Sequence, residues 1–124
     1  MKNFLPILLA LSFFASSCKT NQVLVKFKND SSEDFRQLYV GISGKEFTFD
    51  NLKARQTTHY IKVDYTFRYC LARAFTEKDT IMFIPIDYVG ERLYTAGKLI
   101  MEIGIIQGKD SIRELDIKSK RPIF

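Results

Sequence analysis

Residues 23–28 read VLVKFK, residues 38–42 read LYVGI and residues 99–105 read LIMEIGI. In each stretch apolar side chains recur at every second position: Val23, Val25 and Phe27, then Leu38, Val40 and Ile42, then Leu99, Met101, Ile103 and Ile105. Side chains alternate between faces in a strand and return every 3.6 residues in a helix, so a period of two predicts strands with one buried face. Working outward, Phe47 and Phe49 form another short stripe after the Ser43-Gly44-Lys45 hairpin loop. Further strands are expected over Thr57–Val63, over Thr66–Phe75 with Cys70, Ala72 and Ala74 alternating, and over Thr80–Ile84, which Pro85 ends. A last strand, Ser111–Lys118, places Leu115 and Ile117 inward. Between these runs lie polar turn clusters, Asn29–Asp34, Asn51–Gln56, Glu77–Asp79 and Gln107–Asp110. No helical period lasts longer than a turn. The expected fold is all-β, an antiparallel sandwich of about 7–8 strands, immunoglobulin-like or transthyretin-like.

The chain has 124 residues, 46% hydrophobic and 27% charged, with a net charge of +5. That composition excludes collagen, coiled coil and disorder. Removing an export signal leaves about 107 residues, one domain with a core large enough to hold without disulfides.

The signal is read from residues 1–18, MKNFLPILLALSFFASSC. Lys2 provides the positive start, and Phe4–Ala15 an uncharged stretch of 12 residues. A bilayer-spanning helix needs about 20 apolar residues, so this segment fits a secretory signal instead. Its end, Phe14-Ala15-Ser16-Ser17-Cys18, resembles the bacterial lipoprotein signal, in which small residues precede an obligatory cysteine. The resemblance implies cleavage before Cys18, a covalent lipid on its sulfur, and acylation of the new amine. Residues 1–17 are then signal, 18–21 the lipidated cysteine and a short tether, and 22–124 the sandwich domain. Small side chains admit a peptidase to the backbone, and a thiol is nucleophilic enough to accept the lipid near neutral pH. Two or more acyl chains make a stable anchor. Lys19 stands where an aspartate retains such proteins in the inner membrane, so an outer-membrane location is implied. The absence of acidic residues in Lys19–Gln22 favours the periplasmic face.

With lipid on Cys18, Cys70 has no partner for an intramolecular disulfide. Residues 49–58 (FDNLKARQTT) and 85–91 (PIDYVGE) make the mature chain similar to small Bacteroidota-type outer-membrane lipoproteins, a likeness that implies fold and anchoring and no particular activity. Asp64–Cys70 (DYTFRYC) superficially resembles the tyrosine corner of antibody domains. Arg68, however, takes the place two before the cysteine where that motif has tyrosine, and the 22–124 domain has neither a second cysteine nor a tryptophan.

Chemistry-bearing residues are few. His59 is the single histidine, so any nucleophilic triad or Cys–His pair has to use it, and it falls at the start of an expected strand. Cys70 falls mid-strand between Tyr69 and Leu71, as a buried, inert thiol does. One histidine and one cysteine cannot make a zinc site, and neither Asp30–Asp34 nor Asp87–Glu91 follows a calcium-loop pattern. No phosphate-cradling loop or dinucleotide fingerprint occurs. No cofactor beyond the lipid on Cys18 is expected, and no metal.

The connection from Pro85 to Ala96 is longer than a hairpin needs and carries Tyr88 and Tyr94. Long loops bearing tyrosine often make contacts, so Tyr88, Tyr94, Asp87 and Glu91 are the expected partner-contact residues. The basic tail at Lys118, Lys120 and Arg121 could meet anionic lipid or polymer. No recognition helix or aromatic RNA-binding signature accompanies it, so nucleic acid is not an expected partner. The expected function is a lipid-anchored, non-catalytic binding or scaffold module of the envelope, with the membrane and an envelope protein as partners. The alternatives are a carboxylate-dependent hydrolase acting on envelope glycan and a structural, polymer-binding lipoprotein.

Overall fold

The structure, a computed structural model, describes residues 22–121. The signal (1–17) and the Cys18–Asn21 tether lie outside the described residues. Eight strands follow in chain order: β1 (Val23–Asn29), β2 (Phe35–Ile42), β3 (Lys45–Leu52), β4 (Ile61–Val63), β5 (Leu71–Phe75), β6 (Thr80–Phe83), β7 (Gly97–Gln107) and β8 (Arg113–Lys120). They form two four-stranded sheets, ordered β4-β1-β7-β8 and β3-β2-β5-β6. The inward faces meet in one core, in which Val25, Phe27, Leu38, Val40, Met101 and Ile103 are entirely buried. The protein is an all-β sandwich.

One feature departs from the expected antiparallel arrangement. β1 and β7 run parallel, from Val23↔Gly97 to Asn29↔Ile103, while the other five pairings are antiparallel. A parallel pair needs a long crossover. Here everything between β1 and β7, including the whole second sheet, is that crossover. Both strands therefore start at the same end of the sandwich.

Two expected strands are shorter than the sequence pattern implies. In Thr57–Val63 only Ile61–Val63 pairs as a strand, with a single bridge from Thr57 to Lys28. In Thr66–Phe75 the ladder begins at Leu71, and Thr66 instead bridges to Tyr94. Alternation in a sequence marks side chains that point alternately in and out, and an extended segment crossing a sheet end does so without a strand beside it.

Alternation also breaks inside β2 and β3. Phe35 and Leu38 both point inward although three residues apart, and directly opposite, Asn51 takes φ 54° before buried Leu52. Asparagine tolerates that left-handed conformation because its short side chain can bond locally. The reset lets Leu52 and Phe35 close the core at that end.

The two ends differ. At the proximal end lie the starts of β1 and β7, the Ser43-Gly44 hairpin turn, the ends of β4 and β8, and the connections 64–70 and 84–96. The distal end holds the turns around residues 30–34, 53–56, 76–79 and 108–112. Asn29 organises the distal end. It is wholly buried, its amide donates to the carbonyls of Glu33 (2.8 Å) and Leu52 (3.1 Å), and its Oδ1 accepts from the Ser31 amide (3.1 Å) and hydroxyl (2.6 Å). Arg113 locks the same end, with its guanidinium bidentate on Glu33 (2.6 and 3.0 Å) and paired with Asp79 at 3.1 Å.

Candidate functional site

At the proximal end the two long connections are built against each other. Pro85 lacks an amide hydrogen, so β6 stops at Phe83 and the chain leaves the sheet. It returns to β7 at Gly97 after pairing with the other connection: Tyr94 donates to Thr66 O (2.8 Å) and Thr66 donates back to Tyr94 O (3.0 Å). Between these points Glu91 donates its amide to Tyr88 O at 3.0 Å, closing a four-residue turn in which Gly90 has φ 81°. A type II turn requires a positive φ at its third residue, which glycine supplies without strain. Val89 sits at the apex of that turn.

Aromatic packing fixes this turn to the body. Tyr88 stacks on Phe67 with ring centroids 4.2 Å apart and planes 10° from parallel, and on Tyr69 at 5.4 Å. Tyr69 meets Phe83 edge-on at 5.5 Å and donates its hydroxyl to Glu91 at 3.2 Å. Glu91 also pairs with Arg68 at 3.3 Å. Burial raises the phenol pKa of Tyr88; burial and then the Glu91 carboxylate raise that of Tyr69. Both hydroxyls are protonated at neutral pH. On the other side, the guanidinium groups of Arg92 and Arg121 lie over the ring of Tyr94 at 5.0 and 5.3 Å.

All four expected contact residues are thus brought together in one segment, and each is used inside the domain. Tyr88 and Tyr94 turn back onto the protein, Glu91 holds Tyr69 and Arg68, and Asp87 accepts from the Val89 amide at 3.2 Å. The side chains left in solvent are their apolar neighbours: Ile86 is 98% exposed, Val89 89% and Leu93 51%. The sequence signal for these was weaker, because an isolated Ile or Val in a loop carries no periodicity.

Under the stack lies a cavity of about 250 Å³, lined among others by Ser43, Tyr65, Phe67, Tyr69, Cys70 and Tyr88. Cys70 is buried, and burial pushes its thiol up to about 12. Its sulfur lies 3.8 Å from the sulfur of Met101. The thiolate, which is the nucleophile, is therefore negligible at physiological pH. His59 is exposed and packs edge-on against Phe49 at 5.7 Å, away from Cys70. The structure does not bring these two together.

A larger cleft of about 360 Å³ at the distal end is lined by charged residues of which most are already paired, Arg36 with Glu77 at 3.4 Å, Lys53 with Asp34 at 3.7 Å and Glu33 with Arg113, while Lys78 forms no ion pair among the described residues. Among the described residues no group of three or more His, Cys, Asp or Glu is placed to hold a metal ion. Among the same residues no helix is long and apolar enough to cross a membrane.

No known protein family matches the chain, and no curated protein matches it. Among solved structures it is similar to the NMR structure of a protein from Eubacterium rectale. That match has a TM-score of 0.54 over 86% of this chain and 93% of that one, at 10% sequence identity. The likeness is of fold alone.

Proposed function

We propose that the protein is an outer-membrane lipoprotein of the periplasmic face, held by lipid on Cys18, whose sandwich works as a non-catalytic binding module. Its contact surface is the proximal end, centred on residues 85–96. The observation that carries this reading is the contrast within that segment. A turn fixed by stacking, an ion pair and two backbone hydrogen bonds holds Ile86 and Val89 almost fully in solvent. Rigid presentation of apolar side chains lowers the entropy lost on binding, and exposed apolar area rimmed by polar residues marks contact sites on soluble domains. A non-catalytic role is supported by the protonated, enclosed Cys70 and by its separation from His59.

A photocrosslinking side chain at position 86, introduced in cells and activated in the intact envelope, tests the contact surface. Adducts should form at position 86 and not at Ile112, an exposed apolar residue of the distal end. Equal yields at both positions would end this reading.

A further inference from the structure

The place where the chain enters the sandwich fixes which end faces its anchor. β1 begins at Val23 at the proximal end, beside Val63 and Gly97. Only residues 19–22 separate Cys18 from that strand. A fully stretched chain advances about 3.6 Å per residue, so Val23 stays within about 18 Å of a lipidated Cys18. Ile86, Val89 and Leu93 project from the same end of the fold.

The charge at this end is also uneven. Arg92 and Arg121, both over the Tyr94 ring, form no ion pair with a carboxylate of the described residues, and neither does Lys98 at the start of β7. At the distal end the arginines Arg36, Arg55 and Arg113 are all paired, as is Lys53, and Lys78 and Lys109 are the cations left without an ion pair among the described residues. Exposed apolar tips beside unpaired basic residues are what an anionic bilayer surface accepts: the apolar groups enter the headgroup boundary, about 5–10 Å deep, and the cations stay at the phosphates.

We infer that the proximal end docks on the anionic phospholipid bilayer that holds the Cys18 anchor, with Ile86, Val89 and Leu93 inserted at the interface and Arg92, Lys98 and Arg121 against the headgroups. This rests on the anchor and contact-surface reading above and names the surface contacted. The tether supplies the first attachment, and the loop then meets lipid at the high effective concentration that a short link imposes. A domain held in this way lies flush on the membrane, with the distal end directed away from it.

The chain contains no tryptophan, so Val89→Trp provides a single emitter at the turn apex and Ile86→Trp a second one. Ile112→Trp serves as the distal control. The full lipidated protein is reconstituted into vesicles of phosphatidylcholine with phosphatidylglycerol, with or without bromine on the acyl chains. The expected result is a blue-shifted emission and about a twofold or greater loss of intensity in brominated vesicles for Val89→Trp and Ile86→Trp, as interfacial burial requires. The control should show neither. Adding Arg92→Glu and Arg121→Glu should reduce the quenching, and so should raising the salt, which screens the headgroup charge.

Vesicle flotation separates the two levels of failure. If the protein floats with the vesicles but the indoles remain unshifted and unquenched, the docking inference is overturned and the anchor stands. If it does not float, the anchor reading falls and docking falls with it. Solvent-exposed indoles on vesicles, together with protein adducts from position 86 in cells, would assign the contact surface to a protein partner instead.

Discussion

Replacing Tyr88 with alanine separates the structural role of the 85–96 segment from its exposed tips. The ring stacks on Phe67 at 4.2 Å and on Tyr69 at 5.4 Å. Each aromatic pair contributes about 0.5–1.5 kcal/mol beyond its area, so the two together contribute about 1–3 kcal/mol. Removing a half-buried ring forfeits about another 1 kcal/mol of apolar burial. Relaxation of the loop returns part of this, and the net cost is about 2 kcal/mol. In a domain of this size each kcal/mol moves the melting temperature by about 4–8 °C, so Tyr88→Ala should melt about 8–16 °C below the wild type. Tyr88→Phe keeps both stacks and should melt close to the wild type. Val89→Ser, one residue away at the exposed apex, should stay within about 0.5 kcal/mol. Circular dichroism melts of the three variants provide the assay. A Tyr88→Ala protein that melts within about 2 °C of the wild type would refute the stack as the support of this loop.

Asn29→Ala strands the buried carbonyl of Leu52 and the buried amide of Ser31 and should cost about 3 kcal/mol or more in urea denaturation, while Asn29→Asp should be less damaging at pH 4 than at pH 7, where a carboxylate would face two carbonyl oxygens. The hydrogen-bonded Arg113 guanidinium holds the Glu33 carboxyl below the usual carboxylate range. Its folded pKa is then lower than its unfolded one, so the stability it contributes is present above about pH 4.5 and is lost as pH falls through the folded value. Arg113→Met should therefore cost about 1–3 kcal/mol at pH 7, and the gap from the wild type should narrow progressively as the pH falls below about 4.5 in parallel denaturation curves. Cys70, with its thiol pushed up to about 12, should react with a thiol reagent at the rate of global unfolding rather than the rate of an exposed cysteine; immediate labelling of the native protein would contradict its burial.

Most of the sandwich was readable as period two because burial on one face and solvent on the other imposes that pattern directly. Val23, Val25 and Phe27 show it, and so does Asn29, which continues the same inward series. The polar identity of Asn29 made it look like the first residue of a turn; its position in the series marked it as buried. The parallel β1–β7 pair left no trace in the sequence, because pairing partners far apart in the chain are chosen by topology and not by local pattern. The aromatic residues 67, 69 and 88 stand apart in sequence, and only the crossing of the two connections stacks them. Segment 85–96 was identifiable by its length and by Pro85. Its tyrosines drew attention as contact residues, but a phenol with a neighbouring ring gains more by stacking than by facing water, which leaves Ile86 and Val89 outside. The Arg113–Glu33–Asp79 cluster joins the start of β8 to two distal turns and had no spacing by which to be recognised.

In the proposed arrangement a lipid on Cys18 holds this sandwich to the membrane with its proximal end toward the bilayer. Intact-mass analysis of the protein extracted from cell membranes is the decisive measurement of that lipid. The expected result is a mature chain beginning at Cys18, heavier than the polypeptide by its acyl chains, and a Cys18→Ala protein without that added mass that no longer enters the detergent phase. A mature wild-type chain with unmodified mass, recovered in the aqueous phase, would contradict it.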